Sequence, residues 1–218
     1  MSDNPQGVFI DDVEFPFDDS SSILEFSNKS LGEKIIPTLC DDVNLKPYGA
    51  CRVCSVEVQH TEDGPKRTVA SCHTPINPGM RIYTNSDSVK TLRRNIVELV
   101  LSDHPPDCLT CEVNGNCELQ DVAASVGVRR IRYAKGKNHC DREKDLSHAY
   151  MRMDLSKCIN CSRCVRACDE VQGQFTLTMT GRGFESRITT DNDMLFGDSS
   201  CVSCGACAQT CPTSAISD

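Results

Sequence analysis

An α+β fold divided into small metal-centred units is what the sequence predicts, and three observations carry that prediction. Fifteen of the 16 cysteines, joined by one histidine, sort by spacing into four sets of four. Hydrophobic residues make up 39 % of the 218, aromatics 5 %, and tryptophan is absent, which is too little for one large core. Short strand-like runs in the first third give way to one long helical repeat and then to two similar cysteine loops. Units of roughly 60–90 residues with so few apolar side chains need bound metal to supply part of their folding free energy. The divisions are placed at residues 1–86, 87–148 and 149–218.

In the first unit, residues 8–17 (VFIDDVEFPF) read as a hairpin turning at Asp11-Asp12, with Pro16 marking an edge strand. Asp18, Asp19 and Ser20 offer N-caps for a helix over about 21–31, closed by Gly32. Alternation over 53–58 predicts a strand, TEDGPK (61–66) turns it back into a second at 67–71, and a last strand follows at 80–84. Hairpin, helix and returning strands make a small α+β unit of the ferredoxin β-grasp type. The middle unit opens with the best helix of the chain, 88–102, whose Val89, Leu92, Ile96, Leu99 and Val100 form an apolar stripe read as a packing face. Pro105 and Pro106 forbid its continuation. The linker around 135–147 is polar. The last unit is a pseudo-repeat of two cysteine loops, flanking a strand-like run at 175–180 and a turn at Gly181-Arg182-Gly183. That GxG lacks a βαβ context and says nothing of nucleotide binding.

The third set (Cys158, Cys161, Cys164, Cys168) and the fourth (Cys201, Cys204, Cys207, Cys211) each read C-x2-C-x2-C-x3-C. Three cysteines at i, i+3 and i+6 wrap one corner of an iron–sulfide cube, while the fourth ligates the neighbouring cluster in two-cluster ferredoxins. One [4Fe–4S] cluster is therefore expected on Cys158, Cys161, Cys164 and Cys211, the other on Cys201, Cys204, Cys207 and Cys168. Zinc sites instead pair two C-x2-C knuckles across a longer spacer. Asp169 stands where a proline often follows the fourth cysteine, a departure expected to loosen that loop. The first set, Cys40, Cys51, Cys54 and Cys72, keeps the long reach to a final cysteine that a [2Fe–2S] loop needs, with Gly49 and Ala50 allowing close backbone approach. Four thiolates there leave zinc open as well. The second set, His104, Cys108, Cys111 and Cys117, substitutes one imidazole for a thiolate, which alone raises a cluster's potential. His60, His73, His139 and His148 read as structural, and Cys140 as a spare thiol.

A secreted disulfide scaffold is the competing explanation for so many cysteines. The N-terminal MSDNPQGVFIDD has neither a basic nor an apolar signal region, so a cytoplasmic protein with metal-bound thiols is expected. No run approaches the ~20 apolar residues of a membrane span. A formal net charge of −8 disfavours nucleic acid. Arg129, Arg130, Arg132, Lys135 and Lys137 form the one basic cluster, read as a solvated face ahead of a docking patch for an acidic partner or positive charge placed near anionic clusters.

The segments HPPDCLTCEVNGNCELQ, CINCSRCVRACDEVQG and CVSCGACAQTCPTSAI, with the C-x10-C-x2-C before them, closely resemble one known module. It is the N-terminal iron–sulfur module of NAD-linked formate dehydrogenase large subunits, iron-only hydrogenases and the 75-kDa-type subunit of respiratory complex I. GRGFESR (181–187) looks most like the formate dehydrogenase version. The resemblance covers nearly the whole chain. It implies one [2Fe–2S] and three [4Fe–4S] clusters on the sixteen ligands named, no catalytic residue, and a role in electron transfer. In that family the module usually continues into a catalytic domain, whereas Asp218 lies seven residues after Cys211, so a free-standing electron-transfer subunit is expected. Its implied partners are a flavin- and NAD(P)-binding subunit and a molybdenum or tungsten formate dehydrogenase subunit, or else a hydrogenase or complex I-like one. An independent soluble polyferredoxin is the reading from a different class.

Overall fold

The computed structural model describes residues 7–32, 35–61, 63–135 and 142–218. It divides into two compact units: Met1–Thr38 with Pro47–Ile96, and Leu39–Lys46 with Val97–Asp218. His139, Cys140 and Lys137 lie outside the described residues.

Unit 1 is built on a five-stranded mixed sheet in the order β2-β1-β5-β3-β4. β1 (Val8–Ile10) and β2 (Val13–Phe15) form the expected hairpin, with Asp11 and Asp12 both at positive φ (47° and 67°). A two-residue turn of that hand matches the natural twist of the paired strands. β2 is an edge strand, as Pro16 requires. β3 (Ser55–Gln59) pairs antiparallel with β4 (Arg67–Ala70) and with β5 (Arg81–Tyr83), and β5 runs parallel to β1. Helix α1 (Ile23–Leu31) begins two residues later than Ser20 suggests: Ser22 is the N-cap, its hydroxyl accepting from the Glu25 N–H at 3.2 Å. The Glu25 carboxylate reaches back to the Ser21 N–H at 2.8 Å, so a serine–glutamate pair fixes the start and Asp18 only supports the preceding turn. Gly32 at φ 99° ends it as expected. Ile23, Leu24 and Phe26 pack against Val8, Ile10, Val56, Val58 and Ile82 in one core that includes Cys54 and Cys72.

Helix α2 (Asp87–Ser102) matches the expected bounds but not the expected face. Val89 and Val97 are fully buried, and Arg93 (5 % exposed), midway between them, is buried too, whereas Leu99 is half exposed. The buried line therefore runs at i, i+4, i+8 through an arginine that apolar periodicity passes over.

Unit 2 carries helix α3 (Glu118–Ser125), which follows a 3₁₀ turn at Cys108–Thr110, and two-stranded sheets β6 (Arg152–Met153) with β9 (Ile216–Ser217) and β7 (Leu177–Thr180) with β8 (Arg187–Thr190). Gly181 (φ 73°) turns β7 toward β8, and a Cβ there would lie 2.3 Å from the Glu185 carbonyl oxygen, so only glycine fits. The pseudo-repeat is written in the backbone. Helices α4 (Arg163–Arg166) and α5 (Ala206–Gln209) each begin five residues after the first cysteine of their loop. Positive φ recurs at the second and fourth residues after it: Asn160 and Ser162, Ser203 and Gly205. The copies diverge after the helix. Pro212 follows Cys211 and the chain turns, whereas Asp169 keeps a backbone N–H, and α4 runs on as a π-helical turn over Ala167–Val171. Met151, Met153, Leu177, Ile188, Phe196 and Ile216 form the core around these loops, with Cys164 and Cys207 in it.

Candidate metal centres

The loop at Cys158 places its ligands by left-handed residues. Asn160 (φ 53°) turns its N–H toward the Cys158 sulfur at 3.4 Å, and the Arg163 N–H points at the Cys161 sulfur. The second copy repeats the first contact, with Ser203 N–H on Cys201 at 3.4 Å, and adds one of its own, Ala208 N–H on Cys207, the counterpart of Cys164. Cys158, Cys161, Cys164 and Cys211 line one cavity; Cys168, Cys201, Cys204 and Cys207 line another. The fourth cysteine of each motif thus faces the other motif's loop, which is the crossed grouping read from the spacing.

The third cavity, about 400 Å³, is lined by His104, Cys108, Cys111 and Cys117 together with Leu101, Leu119 and Val128. His104 Nδ1 is buried without a hydrogen-bond partner, and burial holds the imidazole's pKa below its ordinary value. A neutral ring with an unsatisfied nitrogen, in a cavity shared with three thiols, has the donor chemistry of a metal ligand. Cys117 begins α3, whose Leu119 and Gln120 N–H groups point at its sulfur.

In unit 1, Cys51 begins a turn whose Arg52 (φ 61°) brings Cys54 back toward the final cysteine, with Cys54 and Cys72 sulfurs 3.4 Å apart. That is far beyond the ~2.05 Å of a disulfide. Among the described residues no disulfide is formed. Cys40 lies in the Leu39–Lys46 segment of unit 2.

Burial sets the resting state of these thiols. Burial pushes the Cys158 thiol up to about 11, Cys161 and Cys207 to about 12, and Cys164 well above its ordinary value. Thiols so placed stay protonated until a cation displaces the protons, and the sulfur-directed N–H groups then favour the charged form. Among the described residues, no group of three or more His, Cys, Asp or Glu side chains is arranged to hold one metal ion. The donors ring cavities instead, of about 400 Å³ at His104 and about 20 and 10 Å³ at the two repeated loops.

Three buried arginines, Arg93, Arg163 and Arg166, flank the loops, and none was marked by the cysteine pattern. In unit 2, Arg163 bonds Asp42 and Glu118, each at 2.7 Å, and the Thr210 hydroxyl at 3.1 Å. Thr210 donates on to Asp42 at 2.8 Å, and Arg166 donates to the Cys40 carbonyl at 2.6 Å. The guanidinium of Arg163 thereby ties down residues beside Cys117 and Cys211 as well as the segment carrying Cys40. In unit 1, Arg93 donates to the carbonyls of Ser55 (2.9 Å) and Thr84 (3.1 Å), and its Nη2 is buried without a partner. Of the other residues singled out, His148 is structural, accepting at Nδ1 from the Tyr150 and Met151 N–H groups. Arg129, Arg130, Arg132 and Lys135 are exposed, Arg129 and Arg130 also line the His104 cavity, and Arg132 donates to Glu98 at 2.6 Å.

Three family models match along the chain. Residues 8–87 match the 2Fe-2S iron-sulfur cluster binding domain, 93–132 the NADH-ubiquinone oxidoreductase-G iron-sulfur binding region, and 157–215 the 4Fe-4S dicluster domain. The chain is 41 % identical over 187 residues to the NADP-reducing hydrogenase subunit HndD of Solidesulfovibrio fructosivorans, covering 83 % of this chain and 31 % of that protein. It is 32 % identical over 209 residues to the G 2 subunit of NADH-quinone oxidoreductase from Rhizobium meliloti (strain 1021), covering 96 % and 23 %. The chain is similar to the iron–sulfur region of both, and the three family models together span most of it. Its fold also matches a chain from a crystal structure of an NAD+-reducing [NiFe]-hydrogenase in the H2-reduced state, with a TM-score of 0.85 and 29 % identity over 97 % of this chain and 86 % of that one. The chain thus carries one 2Fe–2S domain and 4Fe–4S domains, and it spans less than a third of the length of these two curated relatives. No helix among the described residues is long and apolar enough to cross a membrane.

Proposed function

We propose that the chain relays electrons inside a multi-subunit NAD(P)-linked oxidoreductase, holding one [2Fe–2S] cluster on Cys40, Cys51, Cys54 and Cys72 and three [4Fe–4S] clusters. The three would take His104 with Cys108, Cys111 and Cys117; Cys158, Cys161 and Cys164 with Cys211; and Cys201, Cys204 and Cys207 with Cys168. Bound there, iron–sulfur clusters accept and release electrons singly. The protein's share is to place the sulfurs, direct N–H groups at them and exclude water. One observation carries the reading: three separate cavities in unit 2 are each lined by a complete set of four donors. The exposed Cys108 and Cys204, beside the solvent-facing Leu109 and Val202, suit electron exchange with neighbouring subunits. We read the chain as a three-domain, cytoplasmic, non-catalytic subunit between a flavin-bearing NAD(P) subunit and a catalytic subunit, with molybdenum or tungsten formate dehydrogenase suggested by GRGFESR. The likeness to a NADP-reducing hydrogenase subunit favours a second reading, a hydrogenase catalytic partner.

Anaerobic purification tests both. Recovery with a flavoprotein and a molybdenum or tungsten subunit supports the first, and nickel or a di-iron hydrogenase subunit the second. A chain purified alone, as a monomer, overturns both in favour of a free polyferredoxin. Replacing His104 by alanine should lose or convert one [4Fe–4S] cluster while the others persist; an unchanged iron content and EPR spectrum would remove His104 from the ligands.

A further inference from the structure

Arg93 is 5 % exposed, on α2 between the buried Val89 and Val97. Its Nε and Nη1 are fixed by two backbone carbonyls, and its Nη2 is buried with no acceptor. Carbonyl dipoles orient a guanidinium but do not cancel its charge, and a buried cation without a counter-charge is strongly disfavoured. Among the described ion pairs no carboxylate contacts it; the negative groups that favour its charge are first Cys54 and then Asp11, which accepts from the Thr84 N–H at 2.7 Å without touching the guanidinium. Burial lowers its pKa to about 10, still far above neutrality, so the charge is present. The acceptor at Nε is the carbonyl of Ser55, the residue after Cys54, and the Cys54 sulfur lies 3.4 Å from that of Cys72. A thiolate-ligated iron–sulfur cluster is anionic and gains one further negative charge on reduction.

We propose that Arg93 is a positioning residue of the [2Fe–2S] centre, the fixed counter-charge that its thiolates and cluster complete, and that it holds the centre's potential up. The inference rests on the reading that Cys51, Cys54 and Cys72 hold the cluster. A fixed positive charge in a low-dielectric site favours the more negative redox state. In the full chain, Arg93→Met should therefore make the [2Fe–2S] cluster harder to reduce, by about tenfold in the reduction equilibrium, or about 59 mV for one electron. The three [4Fe–4S] potentials should stay put. Arg93→Lys keeps the charge and should stay near the wild-type potential. A purely packing arginine would give the opposite ranking, because methionine fills apolar space better than lysine.

Potentiometric titration with EPR detection of each cluster decides it. A [2Fe–2S] potential unchanged in Arg93→Met, or shifted as far by lysine as by methionine, overturns the inference. If Arg93→Met fails to retain the [2Fe–2S] cluster, lysine must restore it; failure to do so overturns the inference as well. Cys72→Ser separates the underlying reading: persistence of the full [2Fe–2S] signal there sinks the cluster assignment itself, whatever Arg93 does.

Discussion

Arg93 in unit 1 and Arg163 in unit 2 are each buried beside a cysteine loop, and the two are satisfied by different means. Arg163 in unit 2, its side chain 6 % exposed, has two carboxylates and a hydroxyl of the protein's own. Arg93 in unit 1 has carbonyls and an unpartnered nitrogen. A buried, fully bonded ion pair is close to neutral as a whole but costly to break from one side. A buried lone cation is costly until a charge arrives from elsewhere. At Arg163 the loops of unit 2 are therefore organised with internal charge, whereas at Arg93 unit 1 leaves part of its charge balance to whatever the cysteines bind; Arg166, on the Lys46 and Cys40 carbonyls, shows that carbonyl bonding also occurs in unit 2.

The largest effects should come from removing ligands, and they sharpen the contrast. Cys211→Ser should abolish the [4Fe–4S] signal of the 158–164 loop while leaving that of the 201–207 loop, although residue 211 belongs by sequence to the second motif. Loss of the other cluster instead would undo the crossed grouping. Cys72→Ser, in unit 1, should leave Arg93 stranded, so a second change to methionine at 93 should recover resistance to proteolysis. No such recovery is expected when Arg163→Met is added to Cys211→Ser. Recovery in both units, or in neither, would erase the difference between the arginines.

Next in size is Arg163→Met alone. It strands Asp42, whose side chain is 12 % exposed, and frees the half-exposed Glu118. Breaking one side of a buried pair typically costs about 3–5 kcal/mol, and the exposure of Glu118 places this nearer the lower figure. Denaturant unfolding of the cluster-loaded chain measures it. The double variant Arg163→Met with Asp42→Asn should regain part of the loss, since no charge is then left unpaired; an additive double variant would count against the network.

What the sequence disclosed follows from how local each feature is. The spacing i, i+3, i+6 with a distant fourth cysteine fixes a loop by itself, so the crossed cavities and His104 were legible from a few consecutive residues. The Asp11-Asp12 hairpin and the Gly181 turn were legible for the same reason. Ser22 rather than Ser20 caps α1 because the choice depends on where Glu25 can reach, a side-chain matter that composition does not settle. The π-helical turn at Ala167–Val171 arises from a missing proline, and its course depends on packing. Arg93 escaped because periodicity counts apolar residues. Its two acceptors are 38 and 9 residues away in sequence, on Ser55 and Thr84, and only the folded sheet brings them to α2.

The smallest effect should lie at the surface, where the same chemistry meets water. Arg187 holds Asp193 through paired hydrogen bonds, one of 2.6 Å, and the Thr189 hydroxyl adds another of 2.6 Å. Arg187's donation, then that of Thr189, lowers the Asp193 pKa to about 2. A carboxylate whose folded pKa is depressed contributes stability that is complete above its unfolded value, ~3.9, and is lost as the pH falls through the folded one. Asp193→Asn should therefore cost the same at pH 7 as at pH 5. With Asp193 57 % exposed, solvent screening limits that cost to less than about 1 kcal/mol, and added salt should shrink it. Denaturant midpoints of the two chains at both pH values check this. A cost as large as that of Arg163→Met would mean that burial is not what separates the arginines, and the contrast between the units would then need another cause.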